Sequence, residues 1–203
     1  MAKSPRDQDT SRPRQLTLTE QARRTQLIEV TIGLVAERGY AGTSLSRIAE
    51  GAGITKAAVL YHFPSKDAVV SAAHEHVLTA LTGHVAEAVE AVPPEGGPAA
   101  YVRAMIGHLR EHPRHTRMIV EAMTQGGGDG DYDPSLRWRP LASLLAAARQ
   151  ARGVTSELDL RTLAITIGGA VDAIVAERLA DDGYDTGAAA DLLVSMVDRT
   201  LFA

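Results

Sequence analysis

Cysteine is absent from this 203-residue chain, which excludes disulfides and thiolate metal sites and fits a reducing compartment. No apolar run approaches the ~20 residues of a membrane span. The amino-terminus also lacks the apolar core of a secretory signal, so the expected location is cytoplasmic, with no membrane partner. Catalytic signatures are missing as well. There is no nucleophile elbow, zinc-protease histidine pair or phosphate loop, and the carboxylates are spread over polar helix faces. The expectation is a protein that is not an enzyme and needs no cofactor. What is present is an ordinary globular balance, 45% hydrophobic and 23% charged.

The net charge of −4 conceals an uneven distribution. Residues 1–66 hold ten Lys/Arg against six Asp/Glu, and residues 67–203 hold eleven against nineteen. A cationic end on an acidic body concentrates phosphate attraction on one face and repels nucleic acid elsewhere.

The cationic part also carries the most legible local grammar. Thr43 is an N-cap residue, and Leu45, Ile48 and Ala49 recur at the spacing of one buried helix face. Gly51-Ala52-Gly53 stops that helix and turns the chain, and Thr55 caps a second helix over about 56–63. Its periodicity places Ala58, Val59 and Phe63 inward and leaves Lys56, Ala57, Tyr61 and His62 outward. A small, basic first turn suits a helix that must enter a major groove. After Pro64, Ser65 caps a longer helix whose free N–H groups, with Lys66, form a phosphate site.

These residues resemble the TetR (tetracycline-repressor-like) family of transcriptional regulators. Gly39-Tyr40, Thr43-Ser44, Ile48-Ala49, Ala52-Gly53-Ile54-Thr55-Lys56, Tyr61-His62-Phe63 and Lys66-Asp67 match its amino-terminal pattern in order, across about 22–70. One departure is Leu60, where the family usually has an aromatic. The resemblance implies a homodimer that binds double-stranded DNA at a palindromic operator and is released by a small-molecule effector. It implies DNA contacts from Thr43, Ser44, Thr55, Lys56, Ala57, Tyr61, His62 and Lys66.

The expected fold class is all-α with about nine helices. Residues 1–16 form a basic tail, 17–66 a three-helix DNA-binding domain with the helix-turn-helix at about 45–64, and 67–203 an effector-binding and dimerisation domain. Thr17 and Glu20 form a capping box for a helix reaching about Arg38, where Gly39 stops it. Val69, Val70, Ala73, Val77, Leu81 and Val85 give the helix from Ser65 a stripe reaching into the body, and 93–98 break it. Helices follow over about 99–112, after Pro113 to about 124, over 135–152, after Thr155-Ser156 to about 180, and from about 186. The glycine-rich 126–134 reads as a loop or lid. Its Asp129, Asp131 and Asp133 do not make a calcium loop, because Pro134 stands where the turn needs Gly.

Tyr101, Met105, His108, Met118, Met123, Trp138, Leu141 and Asp172 are the candidate effector pocket. Leu163, Ile167, Val171, Ile174, Leu192, Leu193 and Met196 are the candidate dimer interface, on helices apolar over more than one stripe. His108, His112 and His115 have a metal-like spacing. Pro113 between them and the nearby Arg110, Arg114 and Arg117 weigh against a metal. The alternative function is an architectural or partner-controlled DNA-binding protein that takes no ligand.

Overall fold

The computed structural model describes residues 17–124, 133 and 135–203. The amino-terminal tail, most of the glycine-rich loop and the side chain of Met123 lie outside the described residues. Among those described, the regular elements are nine α-helices and a short 3₁₀ turn at Pro94–Gly96, as the all-α expectation requires. The helices are α1 (Leu18–Gly42), α2 (Leu45–Ala52), α3 (Lys56–His62), α4 (Lys66–Glu90), α5 (Gly97–Glu111), α6 (Pro113–Thr124), α7 (Ser135–Ala151), α8 (Leu160–Ala180) and α9 (Thr186–Leu201). None of the described helices is long and apolar enough to cross a membrane.

Local chemistry accounts for most of the boundaries. The Thr17 hydroxyl accepts from Glu20 N at 3.2 Å and the Glu20 carboxylate accepts from Thr17 N at 2.8 Å, so both donors at the start of α1 are satisfied. Gly39 is a break rather than the end of α1. Its φ of 67° and ψ of 174° leave the helical region, and a last turn continues to Gly42. α8 begins later than Thr155-Ser156 suggests. Asp159 caps it by accepting from Thr162 N at 3.1 Å, while the Ser156 hydroxyl accepts from Arg149 Nη2 at 2.9 Å and fastens the preceding loop to α7.

Gly39 supports a test of this geometry. Only glycine adopts that φ/ψ without strain, and an added Cβ would lie 2.9 Å from Glu121 Oε1. Gly39→Ala is expected to cost about 1–3 kcal/mol, read as a lower thermal midpoint. An unchanged midpoint would show that the α1 break is not held by this contact.

Helix α4 is the shaft of the molecule. Its buried stripe, Val69, Ala73, Val77, Leu81 and Val85, touches three apolar clusters in turn. The first joins α1, α2 and α3 through Leu27, Ile48, Val59 and Phe63. The second joins α1 to α6 through Ile32, Val35 and Met118. The third, in the body, includes Ile106, Leu141, Leu145, Ile167, Val171 and Val197. Because one helix supplies side chains to all three, its tilt cannot change without disturbing packing at both ends.

Candidate nucleic-acid interface

The cap of α2 is Ser44, not Thr43. The Ser44 hydroxyl accepts from Arg47 N at 3.3 Å, whereas Thr43 is buried and donates its hydroxyl to Gly39 O at 2.9 Å. Thr43 thus fastens the α1–α2 corner, and its hydroxyl proton is spent inside the fold. Gly53, with φ of 66°, ends α2 in the left-handed region. Its N–H reaches Ala49 O and Glu50 O, and Thr55 caps α3 by accepting from Ala58 N at 3.1 Å. The turn therefore closes within three residues, which sets α3 across α2.

α3 ends at His62 and Phe63 follows as its C-cap, with a ring only 2% exposed. Val59 and Phe63 seat the helix on α1, while Lys56, Ala57, Leu60 and Tyr61 form an exposed stripe at i, i+1, i+4 and i+5. His62 is half-buried rather than outward, its ring edge-on to Tyr61 with centroids 5.0 Å apart. The Tyr61 hydroxyl donates to Glu20 Oε1 at 3.0 Å, tying the stripe to the start of α1.

A second cluster stands where α1, α4 and α6 converge. Lys66 Nζ donates to Tyr40 O at 3.0 Å and lies 3.5 Å from the centre of the Tyr40 ring. Two further ammonium hydrogens remain for a phosphate. The Tyr40 hydroxyl donates to Asp67, and that bond to a carboxylate raises the phenol above its usual pKa. From the body, Glu121 Oε1 accepts from Tyr40 N at 2.8 Å. Ser65 caps α4 through Ala68 N at 3.0 Å.

Sequence reasoning missed Arg24 and Glu121. Arg24 donates to His62 O and its guanidinium stacks 4.0 Å from the centre of the Phe63 ring, so it secures the end of α3 from α1. The only sequence signal for it is the basic balance of residues 1–66. Glu121 had none, since it lies 81 positions from its partner.

The candidate effector residues divide. Met118 is buried in the α1–α4–α6 cluster, and Leu141 and His108 are buried in the body. Tyr101, Met105 and Trp138 are half-buried against the body core, and burial raises the Tyr101 phenol. Asp172 is exposed and accepts from Arg137 Nη2 at 2.8 Å, a pairing of α7 with α8 rather than a buried ligand group. A cleft of about 100 Å³ lies elsewhere, between α5, α6, α8 and α9, with Arg110, Thr116, Arg117, Arg178 and Asp182 in its wall.

The candidate dimer residues divide too. Ile167 and Val171 are buried in the body core and cannot meet a partner, while Leu163, Ile174 and Leu193 are half-buried against it. Leu192 and Met196 are 62% and 57% exposed, and Ile165, missed in the sequence, is 50% exposed. These three are the exposed large apolar side chains of α8 and α9.

An α2–turn–α3 unit braced by α1 and mounted on a helical body has the arrangement of a helix-turn-helix. Residues 27–73 match the family model described as bacterial regulatory proteins, tetR family, a span that includes all of α2 and α3. Over these residues the chain resembles that family. Among curated relatives, it is 28% identical over 105 residues to the HTH-type transcriptional regulator RutR of Escherichia coli K12, covering 52% of this chain and 50% of RutR. The chain thus spans about half the length of that relative. It is 29% identical over 185 residues to the regulator BetI of Burkholderia thailandensis, covering 80% of this chain and 92% of BetI. The fold matches a solved transcriptional regulator from Pseudomonas aeruginosa PAO1 with a TM-score of 0.77 at 19% identity, over 89% and 91% of the two chains.

Proposed function

We propose that this chain is a non-enzymatic, homodimeric repressor that binds a palindromic DNA site and leaves it when a small molecule enters the body. The observation that carries the reading is the exposed Lys56, Ala57, Leu60, Tyr61 stripe on a helix whose opposite face is fixed in the core. Residues 17–66 read DNA, and residues 67–203 form the body, joined through α4. Two copies, paired through the exposed face of α8 and α9, set their α3 helices in successive major grooves about 34 Å apart. Lys56, Ala57 and Ser44 face bases or the groove edge, with Thr55 at the helix start. His62 and Lys66 hold phosphates, the ammonium of Lys66 extending past Tyr40, and Tyr61 joins them when its hydroxyl exchanges Glu20 for a phosphate oxygen. Thr43 contributes by shaping the corner. Leu60 offers the groove an apolar contact where the family usually presents an aromatic.

The test is to incubate the purified protein with sheared genomic DNA from its source at two salt concentrations and sequence what is retained. Enrichment of one palindrome at both salts is the expected result. Lys66→Ala is expected to lower affinity for every sequence and to make the log–log salt slope shallower by about one. An unchanged slope removes Lys66 from the phosphate contacts.

One observation favours a second reading. The cleft of about 100 Å³ is smaller than the few hundred Å³ that hold a typical organic ligand, and a larger one of about 370 Å³, beside Arg149, Gly153 and Leu160, is a shallow depression open to solvent. A ligand-independent architectural protein fits a filled body, and it predicts salt-sensitive retention without any shared sequence.

A further inference from the structure

The body is acidic as a whole, with eleven Lys/Arg against nineteen Asp/Glu over residues 67–203, yet three of those basic side chains meet in one place. The cleft of about 100 Å³ draws Arg110 from α5, Arg117 from α6 and Arg178 from α8. Among the described residues, Asp182 is the one carboxylate in its wall. Like charges gathered from three helices repel unless an anion sits among them. The bottom of the cleft is apolar. Ile106, Leu109 and Val175 close it from the body core, and Leu179 lies beside Arg178.

Ordinary structural reasons cover only part of this arrangement. Arg110 and Arg178 stand in the last turns of α5 and α8, where a cation complements the helix dipole. Arg117, in the middle of α6, lacks that reason, and among the described residues no carboxylate pairs with it. The partners of the other two are loosely held. Arg110 Nη2 meets Glu111 at 2.8 Å with both side chains half exposed, and Arg178 Nη1 lies 4.0 Å from Asp182, whose carboxylate stands fully in solvent. Exposed pairs of this kind hold weakly, so an incoming carboxylate displaces them, and each guanidinium keeps further N–H donors for it.

Size and lining together select the ligand. The cleft has room for a few waters, at roughly 30 Å³ each, or for a carboxylate on a short carbon chain. A bare oxyanion such as phosphate would satisfy the arginines and leave the apolar bottom unused. A neutral molecule of the same shape would fill the bottom and leave the charges unmatched. Planar guanidinium forks match a carboxylate through two nitrogens at once.

We propose that this cleft binds a small aliphatic carboxylate, held by Arg110, Arg117 and Arg178 with its carbon chain against Ile106, Val175 and Leu179. The site stands apart from the proposed pairing face, since Ile165 precedes Val175 on α8 by about 15 Å along the helix. It also touches the path to the reader. Arg117 faces the cleft, the next residue, Met118, packs against α1 and α4, and Glu121, one turn later, accepts from Tyr40 N. A carboxylate that draws α5, α6 and α8 together therefore bears on Tyr40 and on Lys66 beside it. That consequence rests on the DNA-binding reading, for which it names the class of effector, whereas binding in the cleft does not.

The full chain, without DNA, is titrated with sodium butyrate, with its neutral analogue butyramide and with inorganic phosphate, and binding is followed by calorimetry. Saturable binding of one butyrate per chain, with the other two at least about tenfold weaker, is the expected result. Arg117→Gln and Arg178→Gln are each expected to weaken butyrate binding about tenfold, the scale of one lost charge-assisted hydrogen bond. Arg114→Gln, exposed on the same helix but outside the cleft, leaves it unchanged. Circular dichroism checks that all three variants fold. Absence of saturable butyrate binding overturns the site, as does equal binding of butyramide or phosphate. So does a loss in Arg114→Gln as large as in Arg117→Gln, which reports only the general charge of the surface. With a retained palindrome added, butyrate is expected to lower DNA affinity in the parent and not in Arg117→Gln. Butyrate binding without any DNA affinity keeps the site and removes the reader, whereas firm DNA binding without butyrate binding removes the site alone.

Discussion

Phe63→Ala is expected to unfold the DNA-reading end of the molecule, at a cost of about 3–5 kcal/mol. The Phe63 ring is among the largest fully buried side chains, and it packs with Leu27, Ile48, Val59 and Val69, drawn from α1, α2, α3 and α4. Removing it leaves a void that no single neighbour can fill, because those neighbours are held by four separate helices. It also strips the surface on which the Arg24 guanidinium stacks while that arginine holds His62 O. A marginally stable domain has only about 5–15 kcal/mol to lose, so DNA affinity should fall with the melting transition. Chemical denaturation followed by circular dichroism, with DNA binding measured on the same samples, checks both. The more conservative Phe63→Leu should lose less, since most of the volume is kept. A full-strength Phe63→Ala protein would mean that the reader is supported from elsewhere.

The second large effect concerns assembly. Leu192→Glu combined with Met196→Glu is expected to convert the proposed dimer into monomers without unfolding the chain. Both side chains are already largely exposed in one protomer, so the substitutions remove no internal packing. At the centre of an interface such anchors are worth about 2 kcal/mol or more each, and two of them correspond to roughly a thousandfold in dissociation constant. Sedimentation at several concentrations should show the loss, and DNA affinity should fall because one reader cannot span two half-sites. A control at Val171 would mislead, since that residue is buried in the body core and its replacement attacks folding. If the double variant sediments as the parent does, the pairing face lies elsewhere.

Much of the reader was written in local chemistry. Thr17 with Glu20, Gly53, Thr55 and Ser65 each act within a few residues along the chain, and each stands in the structure where its residue type implies. The stripe Val69 to Val85 was equally legible, because a 3.6-residue period needs no knowledge of its partner. The cap at Thr43 was not, because two adjacent hydroxyl residues compete for it. Thr43 turned inward to Gly39 O once α1 broke there, leaving Ser44 to cap α2.

By itself, then, the sequence determined where helices start and stop, which end is cationic and which short segment has the grammar of a DNA reader. Only the tertiary structure decided which apolar faces of α8 and α9 are already covered, turning Ile167 and Val171 inward and leaving Ile165 and Leu192 out. It alone paired Asp172 with Arg137, set Glu121 against Tyr40 and brought His84 of α4 against His108 of α5. The physical reason is the range of the forces. Caps and turns are settled by hydrogen bonds spanning three or four residues, whereas a helix face acquires its meaning from whatever the rest of the chain packs against it.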